Sequence, residues 1–260
     1  MPETIDGPHG PVPVRRYGST GARTLVWLHG GGFFRGDLDL PEAHEVAEAL
    51  ATAGLAVVTV DYRLAPLPGL PAVGRRGPRG RRRHPVPNDD VVAVLRAVRH
   101  AADGTVLLGG ASAGACLAAA VTRALSAPQR PDGLVLAYGF FHARTPRDPS
   151  VTRTLRGHRR LTHHPTLLDR ANRNHVERGA PTETAFAGGQ DLTGFPPTLM
   201  VDAECDSMRA SGDRFAEELS AAGVPVERHV LPSARHAFLN RPGSHDFAVA
   251  IERIVDWATG

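Results

Sequence analysis

The 260-residue sequence contains no lysine and only two cysteines, Cys116 and Cys205. Two cysteines are too few for a disulfide framework, and they form neither a CxxC pattern nor a zinc-binding spacing. No apolar run reaches the length of a membrane span, and the first residues lack the basic and apolar regions of a signal peptide. These absences indicate a cytoplasmic protein that needs no disulfide, metal or membrane span.

Because lysine is absent, all 30 basic residues are arginines, and the formal net charge is only +3 although the pI is about 9.4. Arginine without lysine, together with abundant alanine, glycine and proline, indicates a GC-rich genome before it indicates a function. The basic pI is therefore a weak argument for nucleic-acid binding, and we expect no nucleic-acid partner. The hydrophobic fraction of 42% is ordinary, and we expect one α/β domain over residues 1–260.

Short apolar runs with strand character alternate with longer helical patterns along the chain. Strands are predicted at residues 12–17 (an edge strand), 24–30, 55–63, 105–110, 133–139, 197–204 and 226–232. Helices are predicted at residues 41–54, 88–103 with Asn88 as the N-cap, 113–126, 207–223 and 244–258. This alternation predicts a mostly parallel sheet with helices on both faces, and such sheets bind ligands at the carboxyl ends of their strands.

Two segments interrupt the alternation. Residues 142–190 have few strand signals and one predicted helix near Thr166–Arg178, so we interpret them as a cap-like insertion over the top edge of the sheet. Residues 67–84 are rich in arginine, proline and glycine without periodicity, which is typical of a flexible surface loop. The arginine run at 75–83 leaves phosphate contact open as an alternative. A frame-shifted reading of GC-rich DNA is a second alternative for residues 67–84.

The clearest chemical motif is Gly110-Ala111-Ser112-Ala113-Gly114, a G-x-S-x-G sequence between a predicted strand and a predicted helix. A nucleophile at such a sharp turn has a strained backbone, so the residues two positions away must lack bulk. The helix that begins after the turn directs its positive end and its free N–H groups at the reaction site. The motif predicts Ser112 as a nucleophile, against the alternative of a small-residue turn.

A nucleophilic serine needs a base and an orienting acid, and with this motif the acid precedes the histidine along the chain. Asp206 stands at the carboxyl end of a predicted strand, with Asp202 and Glu204 as nearby alternatives. His236 stands on the loop after the last predicted strand, where the base belongs. We therefore expect Ser112 and His236 to meet a carboxylate at the carboxyl edge of the sheet.

Three consecutive glycines at 30–32 follow the first buried strand pattern. Attack on a carbonyl creates an oxyanion, which preorganised N–H groups must stabilise. Glycines let the backbone approach a substrate closely. We expect the N–H groups of Gly31, Gly32 and Ala113 to form this oxyanion hole. The expected substrate contacts are Gly30, Phe33 and Phe34.

Four motifs, in order and spanning most of the chain, carry a resemblance to the hormone-sensitive-lipase-like branch of the α/β-hydrolases. They are HGGGFFRGD (29–37), DYRLAP (61–66), GASAG (110–114) and the pair AECDSMR (203–209) with RHAF (235–238). The resemblance implies an α/β-hydrolase fold with a small, reduced cap. It implies Ser112, Asp206 and His236 as a catalytic triad, with Asp206 as the acid by its position in AECDSMR. It also implies that His29 holds the glycine loop and is not a base.

The sequence departs from the family pattern at Ala111, at Ala115-Cys116 and at Ala237, where glycine commonly follows the histidine. Cys116 lies one helical turn after Ser112, and we interpret it as a packed core residue rather than a second nucleophile. Few residues precede the first central strand, so we expect the lid to come mainly from residues 142–190. The resulting open site favours varied acyl or alcohol groups over long lipid chains.

The resemblance implies a serine carboxylesterase that cleaves short-chain esters through an acyl-enzyme intermediate and needs no cofactor or metal. A small-molecule ester is the expected partner, and the last strand and helix are a possible homodimer interface. Two alternatives would use the same site, namely an N-acetyl deacetylase and an acyltransferase of a biosynthetic pathway. A non-catalytic ligand-binding member of the fold is disfavoured because all three triad residues are present.

Overall fold

A central sheet organises the computed structural model, which describes residues 3–19, 23–68, 80–155 and 164–260. The described residues contribute eight strands to this sheet. These are β1 (Glu3–Ile5), β2 (Val12–Tyr17), β3 (Arg23–Leu28), β4 (Ala56–Val60), β5 (Thr105–Ala111), β6 (Gly133–Ala137), β7 (Thr198–Cys205) and β8 (Val226–Arg235).

The strands lie in the order β1-β2-β4-β3-β5-β6-β7-β8. β2 runs antiparallel to its neighbours β1 and β4, and all the other pairs are parallel. The predicted, mostly parallel sheet is therefore confirmed. The prediction of β2 as an edge strand is wrong, because β1 pairs with its outer side. β1 has three residues, which is too short for a hydrophobic period to be recognised.

Seven α-helices are present in the described part of the chain. They are α1 (His44–Thr52), α2 (Val86–Ala101), α3 (Ala113–Ala124), α4 (Pro149–Thr154), α5 (Pro165–His175), α6 (Arg209–Ala221) and α7 (His245–Thr259). Short 3-10 turns lie at Ala127–Gln129, Thr182–Ala185 and Phe238–Asn240. Asn88 is not the N-cap of α2, because the helix already begins at Val86 with Pro87 in its first turn. Proline is well suited to that position, since its missing N–H would have no helical partner there.

Each face of the sheet buries its own hydrophobic cluster. On β3, Val26 and Leu28 belong to the cluster that α2, α3 and α6 cover. Leu25 and Trp27 point the other way, into the cluster covered by α1 and α7. The alternation follows from the two-residue period of a strand, and burial on both faces is typical of parallel sheets. The predicted helices on both faces are confirmed.

The two interrupting segments are only partly described. The predicted loop at 67–84 lies mostly in residues 69–79, outside the described residues. At its end, the Arg81 guanidinium donates to the carbonyl oxygens of Phe34 and Ala65, so this arginine is bound within the protein. The predicted cap-like segment 142–190 lies between β6 and β7 and contains α4 and α5. Within the described ranges, no helix is both long enough and apolar enough to cross a membrane.

Candidate active site

Ser112 lies at the sharp turn between β5 and α3, as the motif predicts. Its backbone has φ 52° and ψ −114°, a conformation that non-glycine residues rarely adopt. Its N–H donates to the carbonyl of Ala137 on β6 at 2.9 Å, and its own carbonyl accepts from the N–H of Cys116 at 3.1 Å. The neighbouring strand and the first turn of α3 thus hold the strained residue in place, at the positive end of the helix.

The small residues on either side of Ser112 are required by close backbone packing. A Cβ atom at Gly114 would lie 2.2 Å from the carbonyl oxygen of Leu28, and one at Gly110 would lie 2.6 Å from the same atom. Any larger residue at either position would therefore displace β3 from β5. The glycines of the motif are explained by this contact between the turn and the end of β3.

Ser112, His236 and Asp206 form one chain of hydrogen bonds. The Ser112 Oγ lies 3.0 Å from Nε2 of His236, and His236 Nδ1 lies 2.6 Å from Oδ2 of Asp206. All three side chains are buried, and each residue follows directly after the carboxyl end of a strand, β5, β8 or β7. Parallel strands bring these ends to one edge, so the topology accounts for the meeting of residues that are far apart in sequence.

The two competing carboxylates are bound elsewhere. The buried Asp202 accepts a hydrogen bond from Nε of Arg228 at 2.9 Å, and burial raises the pKa of its carboxyl to about 6. Glu204 accepts from the backbone N–H of Ser233 at 2.7 Å. Neither carboxylate is hydrogen-bonded to His236, so Asp206 alone among the three sequence candidates lies in the chain of hydrogen bonds.

The loop after β3 brings Gly31 and Gly32 beside Ser112, and all three residues line one cavity. Gly31 has φ 109°, and a Cβ atom there would lie 2.1 Å from the carbonyl oxygen of Arg35. Only glycine fits this position. Within the described residues, the N–H groups of Gly31, Gly32 and Ala113 donate no hydrogen bond. Of these three residues, Gly31 and Gly32 line the cavity, and Ala113 is buried directly after Ser112.

The side chain of His29 supports the glycine loop. Its Nδ1 lies 2.7 Å from the carbonyl oxygen of Gly30, and its ring stacks on Tyr62 at 4.5 Å between centroids. The imidazole is buried, which lowers its pKa, and its hydrogen-bond and ring partners within the described residues are Gly30 and Tyr62. The expectation that His29 supports the loop agrees with these contacts.

The cavity in front of Ser112 has a volume of about 800 Å³. Besides Ser112 and His236, its wall includes Phe34 and Met208, together with Leu167, Leu168, Arg170 and Ala171 of helix α5. The segment between β6 and β7 therefore covers part of the cavity. Most of the wall is apolar, which suits the hydrocarbon part of a small ligand.

Two of the expected substrate contacts do not line this cavity. Phe33 is buried, and its ring stacks on His175 with a centroid distance of 3.9 Å. Gly30 is buried and is not among the residues that line the cavity, and its N–H donates to Glu42. The structure therefore does not support Phe33 or Gly30 as substrate contacts, whereas Phe34 does line the cavity. The sequence could not separate the adjacent phenylalanines, since the direction of each side chain depends on the loop conformation.

Two residues of the site were missed by the sequence analysis. Glu42 lines the cavity, and its carboxylate accepts from the Gly30 N–H at 2.9 Å and from the Tyr138 hydroxyl at 2.9 Å. The Tyr138 ring lies edge-on to His236 at 5.0 Å between centroids. Burial raises the pKa of the Tyr138 hydroxyl, so it stays a hydrogen-bond donor at neutral pH. Neither residue belongs to a recognisable local pattern.

A second arrangement of serine, histidine and carboxylate occurs under the segment between β6 and β7. Ser211 Oγ lies 2.7 Å from Nδ1 of His142, and His142 Nε2 lies 3.1 Å from Glu218. Ser211 is fully buried, and its Oγ also accepts from the N–H of Phe141 at 2.8 Å. A substrate cannot reach this serine, so the arrangement joins α6 to the end of β6 and has no access for chemistry.

Cys116 is buried in the core cluster beside α2, and burial raises the pKa of its thiol. A thiol with a raised pKa is a poor nucleophile, which agrees with its interpretation as a packing residue. Across the described ranges, no group of three or more histidine, cysteine or acidic side chains is arranged to hold a metal ion.

Known proteins resemble this chain over most of its length. The model of a protein family described as the alpha/beta hydrolase fold matches residues 25–240. The carboxylic ester hydrolase LipN of Mycobacterium tuberculosis is 31% identical over 266 residues, which cover 91% of this chain and 63% of LipN. The chain thus spans less than two thirds of LipN.

Two further proteins also resemble this chain over most of its length. The acetyl esterase of Salmonella typhi is 30% identical over 250 residues, which cover 91% of this chain and 72% of that enzyme. The solved structure of an esterase from Pyrobaculum calidifontis superposes with a TM-score of 0.82 at 25% identity. That alignment covers 99% of this chain and 83% of the esterase.

Proposed function

The chain belongs to the α/β-hydrolase fold family, and we propose that it is a carboxylesterase-type serine hydrolase of the hormone-sensitive-lipase-like branch. Its substrates are short-chain carboxylic esters, which it cleaves through an acyl-enzyme intermediate. One observation carries the proposal. The hydrogen-bonded chain from Ser112 through His236 to Asp206 opens onto an apolar cavity at the carboxyl edge of the sheet.

In the proposed reaction, Ser112 Oγ attacks the ester carbonyl while His236 Nε2 takes the hydroxyl proton. Asp206 holds the imidazole in the tautomer whose Nε2 is unprotonated and can accept this proton, and it stabilises the imidazolium that forms. His236 then returns the proton to the leaving alcohol. Water activated by the same imidazole hydrolyses the acyl-enzyme and restores Ser112.

The oxyanion that forms in each step is stabilised by the N–H groups of Gly31, Gly32 and Ala113. The support for this assignment is that Gly31 and Gly32 line the cavity with Ser112, that Ala113 directly follows Ser112, and that the three N–H groups donate no hydrogen bond within the described residues. Ala113 is also the first residue of α3, where the helix dipole favours negative charge. Loss of one such donor typically reduces kcat by about 10²–10³.

The preference for short acyl groups rests on the cavity and on a relative. Phe34 and Met208 line the cavity together with Ser112, and helix α5 forms part of its wall. We propose that residues 142–190 act as the small cap. The acetyl esterase of Salmonella typhi, which aligns with 91% of this chain, supports a short acyl group. The cytoplasmic location, the absence of a nucleic-acid partner and the homodimer stay predictions from the sequence.

The test is hydrolysis of p-nitrophenyl acetate, butyrate, octanoate and palmitate by the wild type and by Ser112→Ala. We expect the highest kcat/KM with acetate or butyrate and the loss of activity in Ser112→Ala. Ser211→Ala is the matched control, because it removes the other histidine-bound serine hydroxyl, which no substrate can reach.

A wild type that hydrolyses none of the four esters would contradict the proposal, and amide substrates or acyl transfer would then be tested. Equal activity of Ser112→Ala and wild type would contradict the assignment of the nucleophile. A maximum with octanoate or palmitate would contradict only the proposed chain-length preference.

A further inference from the structure

Glu42 is a buried acidic residue that lies just before α1. Its backbone and its carboxylate both form hydrogen bonds. Its carbonyl accepts from Nε1 of Trp27 at 2.7 Å, and its N–H donates to Oδ1 of Asn240 at 3.3 Å. One carboxylate oxygen accepts from the N–H of Gly30 and the other from the hydroxyl of Tyr138, each at 2.9 Å. A residue with four such partners has one position and one orientation.

We propose that Glu42 is a positioning residue of the active site, whose carboxylate fixes the Gly30 peptide so that the following glycines present their N–H groups to the oxyanion. The inference rests on the proposed function, because it concerns the oxyanion hole of that reaction. Glu42 does not touch the reacting atoms in this proposal. It acts through Gly30, and through Tyr138 it also reaches the side of the site that holds His236.

The position of Gly30 shows why its orientation matters. A Cβ atom on Gly30 would lie 2.5 Å from Oε1 of Glu42 on one side and 3.1 Å from the Cβ of Ser112 on the other. The Gly30 backbone is thus packed between the carboxylate and the nucleophile. A rotation of this peptide would move the next residue, Gly31, relative to the Oγ of Ser112.

Within the described residues, some backbone N–H and carbonyl groups of the glycine loop have hydrogen-bond partners and others have none. The Gly30 N–H is taken by Glu42, the Gly30 carbonyl by His29, and the Gly31 carbonyl by the N–H groups of Phe34 and Arg35 at 3.3 and 3.1 Å. In the described part of the chain, the N–H groups of Gly31 and Gly32 have no such partner. Glu42 therefore supplies an anchor directly before the groups that must stay available.

The second carboxylate oxygen connects the loop to the base. It accepts from Tyr138, whose ring lies edge-on to His236 at 5.0 Å and to Phe238 at 4.6 Å. The Tyr138 N–H is fixed to the carbonyl of Val201 on β7 at 2.9 Å. The Glu42 side chain thus links the loop of Gly30, Gly31 and Gly32 to Tyr138, whose ring packs against the imidazole of His236. The two parts of the site are held in position by the same carboxylate.

The test compares Glu42→Met with Glu42→Gln. Both replacements are uncharged and of similar length, but only glutamine keeps an oxygen that can accept the Gly30 N–H. We expect Glu42→Met to lower kcat on p-nitrophenyl acetate by about 10–100-fold with little change in KM, because the lost alignment is felt in the transition state. Glu42→Gln is expected to restore most of kcat. Asp132→Ala is the control, since it removes a carboxylate that accepts a backbone N–H, from Val106, at the opposite edge of the sheet.

A second readout separates alignment from general damage. A trifluoromethyl ketone adds the Ser112 Oγ to its carbonyl and forms an oxyanion, with the serine proton passing to His236, whereas the matching methyl ketone mainly binds without addition. We expect Glu42→Met to raise the inhibition constant of the trifluoromethyl ketone by the factor that it removes from kcat/KM. The inhibition constant of the methyl ketone should stay unchanged.

The outcomes distinguish this inference from the proposed function. An inactive wild type would overturn both. An active wild type with unchanged kcat in folded Glu42→Met, or with both ketones weakened equally, would overturn the inference alone. If Glu42→Met does not fold, Tyr138→Phe replaces it, because it removes one partner of the carboxylate. A Tyr138→Phe enzyme with wild-type kcat and wild-type affinity for the trifluoromethyl ketone would then overturn the inference.

Discussion

The Nδ1 atom of His236 lies 2.6 Å from Oδ2 of Asp206, whereas the carboxylate of Asp202, on the strand that leads to Asp206, is bound to Arg228. The difference follows from position. Asp202 lies within β7, where its side chain meets the neighbouring strand β8. Asp206 lies after the end of β7, where its side chain reaches the loop that carries His236.

This relationship predicts different effects for two matched substitutions. Asp206→Asn should lower kcat/KM by about 10³–10⁴, because the amide no longer holds His236 in the productive tautomer. Asp202→Asn should leave kcat/KM close to that of the wild type, because Asp202 has no contact with His236. Steady-state kinetics on p-nitrophenyl acetate, with circular dichroism to check folding, measures both. A larger loss in Asp202→Asn than in Asp206→Asn would show that the acid has been wrongly assigned.

The ion pair between Arg63 and Asp90 predicts a large effect on stability. Both side chains are buried, and Asp90 also accepts the backbone N–H of Arg63 at 2.9 Å. Asp90→Ala leaves the guanidinium without its charged partner, so we expect the free energy of unfolding to fall by about 3–5 kcal/mol. Urea unfolding measures this change. Glu3→Gln, which breaks the exposed pair with Arg16, is the control and should change stability by less than about 1 kcal/mol.

The parts of this protein that the sequence predicts are those that depend on local pattern. The two-residue and helical periods located the central strands and the helices, and the topology then placed the strand ends at one edge. The turn at Ser112 could be predicted because its geometry demands glycine at fixed positions on both sides. Asp206 and His236 could be expected at strand ends, but a contact between them needed the fold.

The residues that the sequence did not reveal act over long range. Glu42 accepts from Tyr138, and the two are far apart in sequence, so no local period connects them. Phe33 and Phe34 are adjacent and chemically identical, yet only Phe34 lines the cavity. Phe33 has φ 71°, a backbone conformation that no sequence rule for phenylalanine anticipates. Such features arise from the tertiary packing of loops.

A buried histidine predicts how stability depends on pH. His175 is fully buried at the end of α5, its ring stacks on Phe33, and neither ring nitrogen has a hydrogen-bond partner within the described residues. Burial, with a smaller contribution from His84, lowers the pKa of His175 from 6.5 to about 3. Below pH 6.5 the unfolded chain therefore binds a proton that the folded protein does not.

The free energy of unfolding should accordingly fall as the pH drops from about 6.5 towards 3, and should not depend on His175 above that range. At pH 5 the contribution of His175 to this loss is about 2 kcal/mol. His175→Leu places an apolar side chain of similar volume at this position. Its free energy of unfolding should fall less between pH 7 and pH 5 than that of the wild type. Thermal unfolding at the two pH values measures the difference. The exposed His245→Gln is the control, and a wild-type pH slope in His175→Leu would contradict the prediction.

The backbone at Ala237 predicts a stabilising substitution beside the active site. Ala237 directly follows His236 and has φ 61° and ψ 39°, the left-handed conformation that disfavours any residue with a Cβ atom. The alanine of this chain therefore keeps a strain that glycine would relieve. Ala237→Gly should therefore raise the free energy of unfolding by about 0.5–1 kcal/mol and leave kcat/KM near the wild-type value.

The control for this prediction is Ala248→Gly. Ala248 is exposed within helix α7, where glycine should instead lower stability by about 1 kcal/mol. Opposite signs for the same chemical change would attribute the effect at residue 237 to its backbone conformation rather than to the loss of a methyl group. If Ala237→Gly destabilises the protein as much as Ala248→Gly does, the greater freedom of glycine in the unfolded chain outweighs the strain. The left-handed turn after His236 would then be held by its surroundings at little energetic cost.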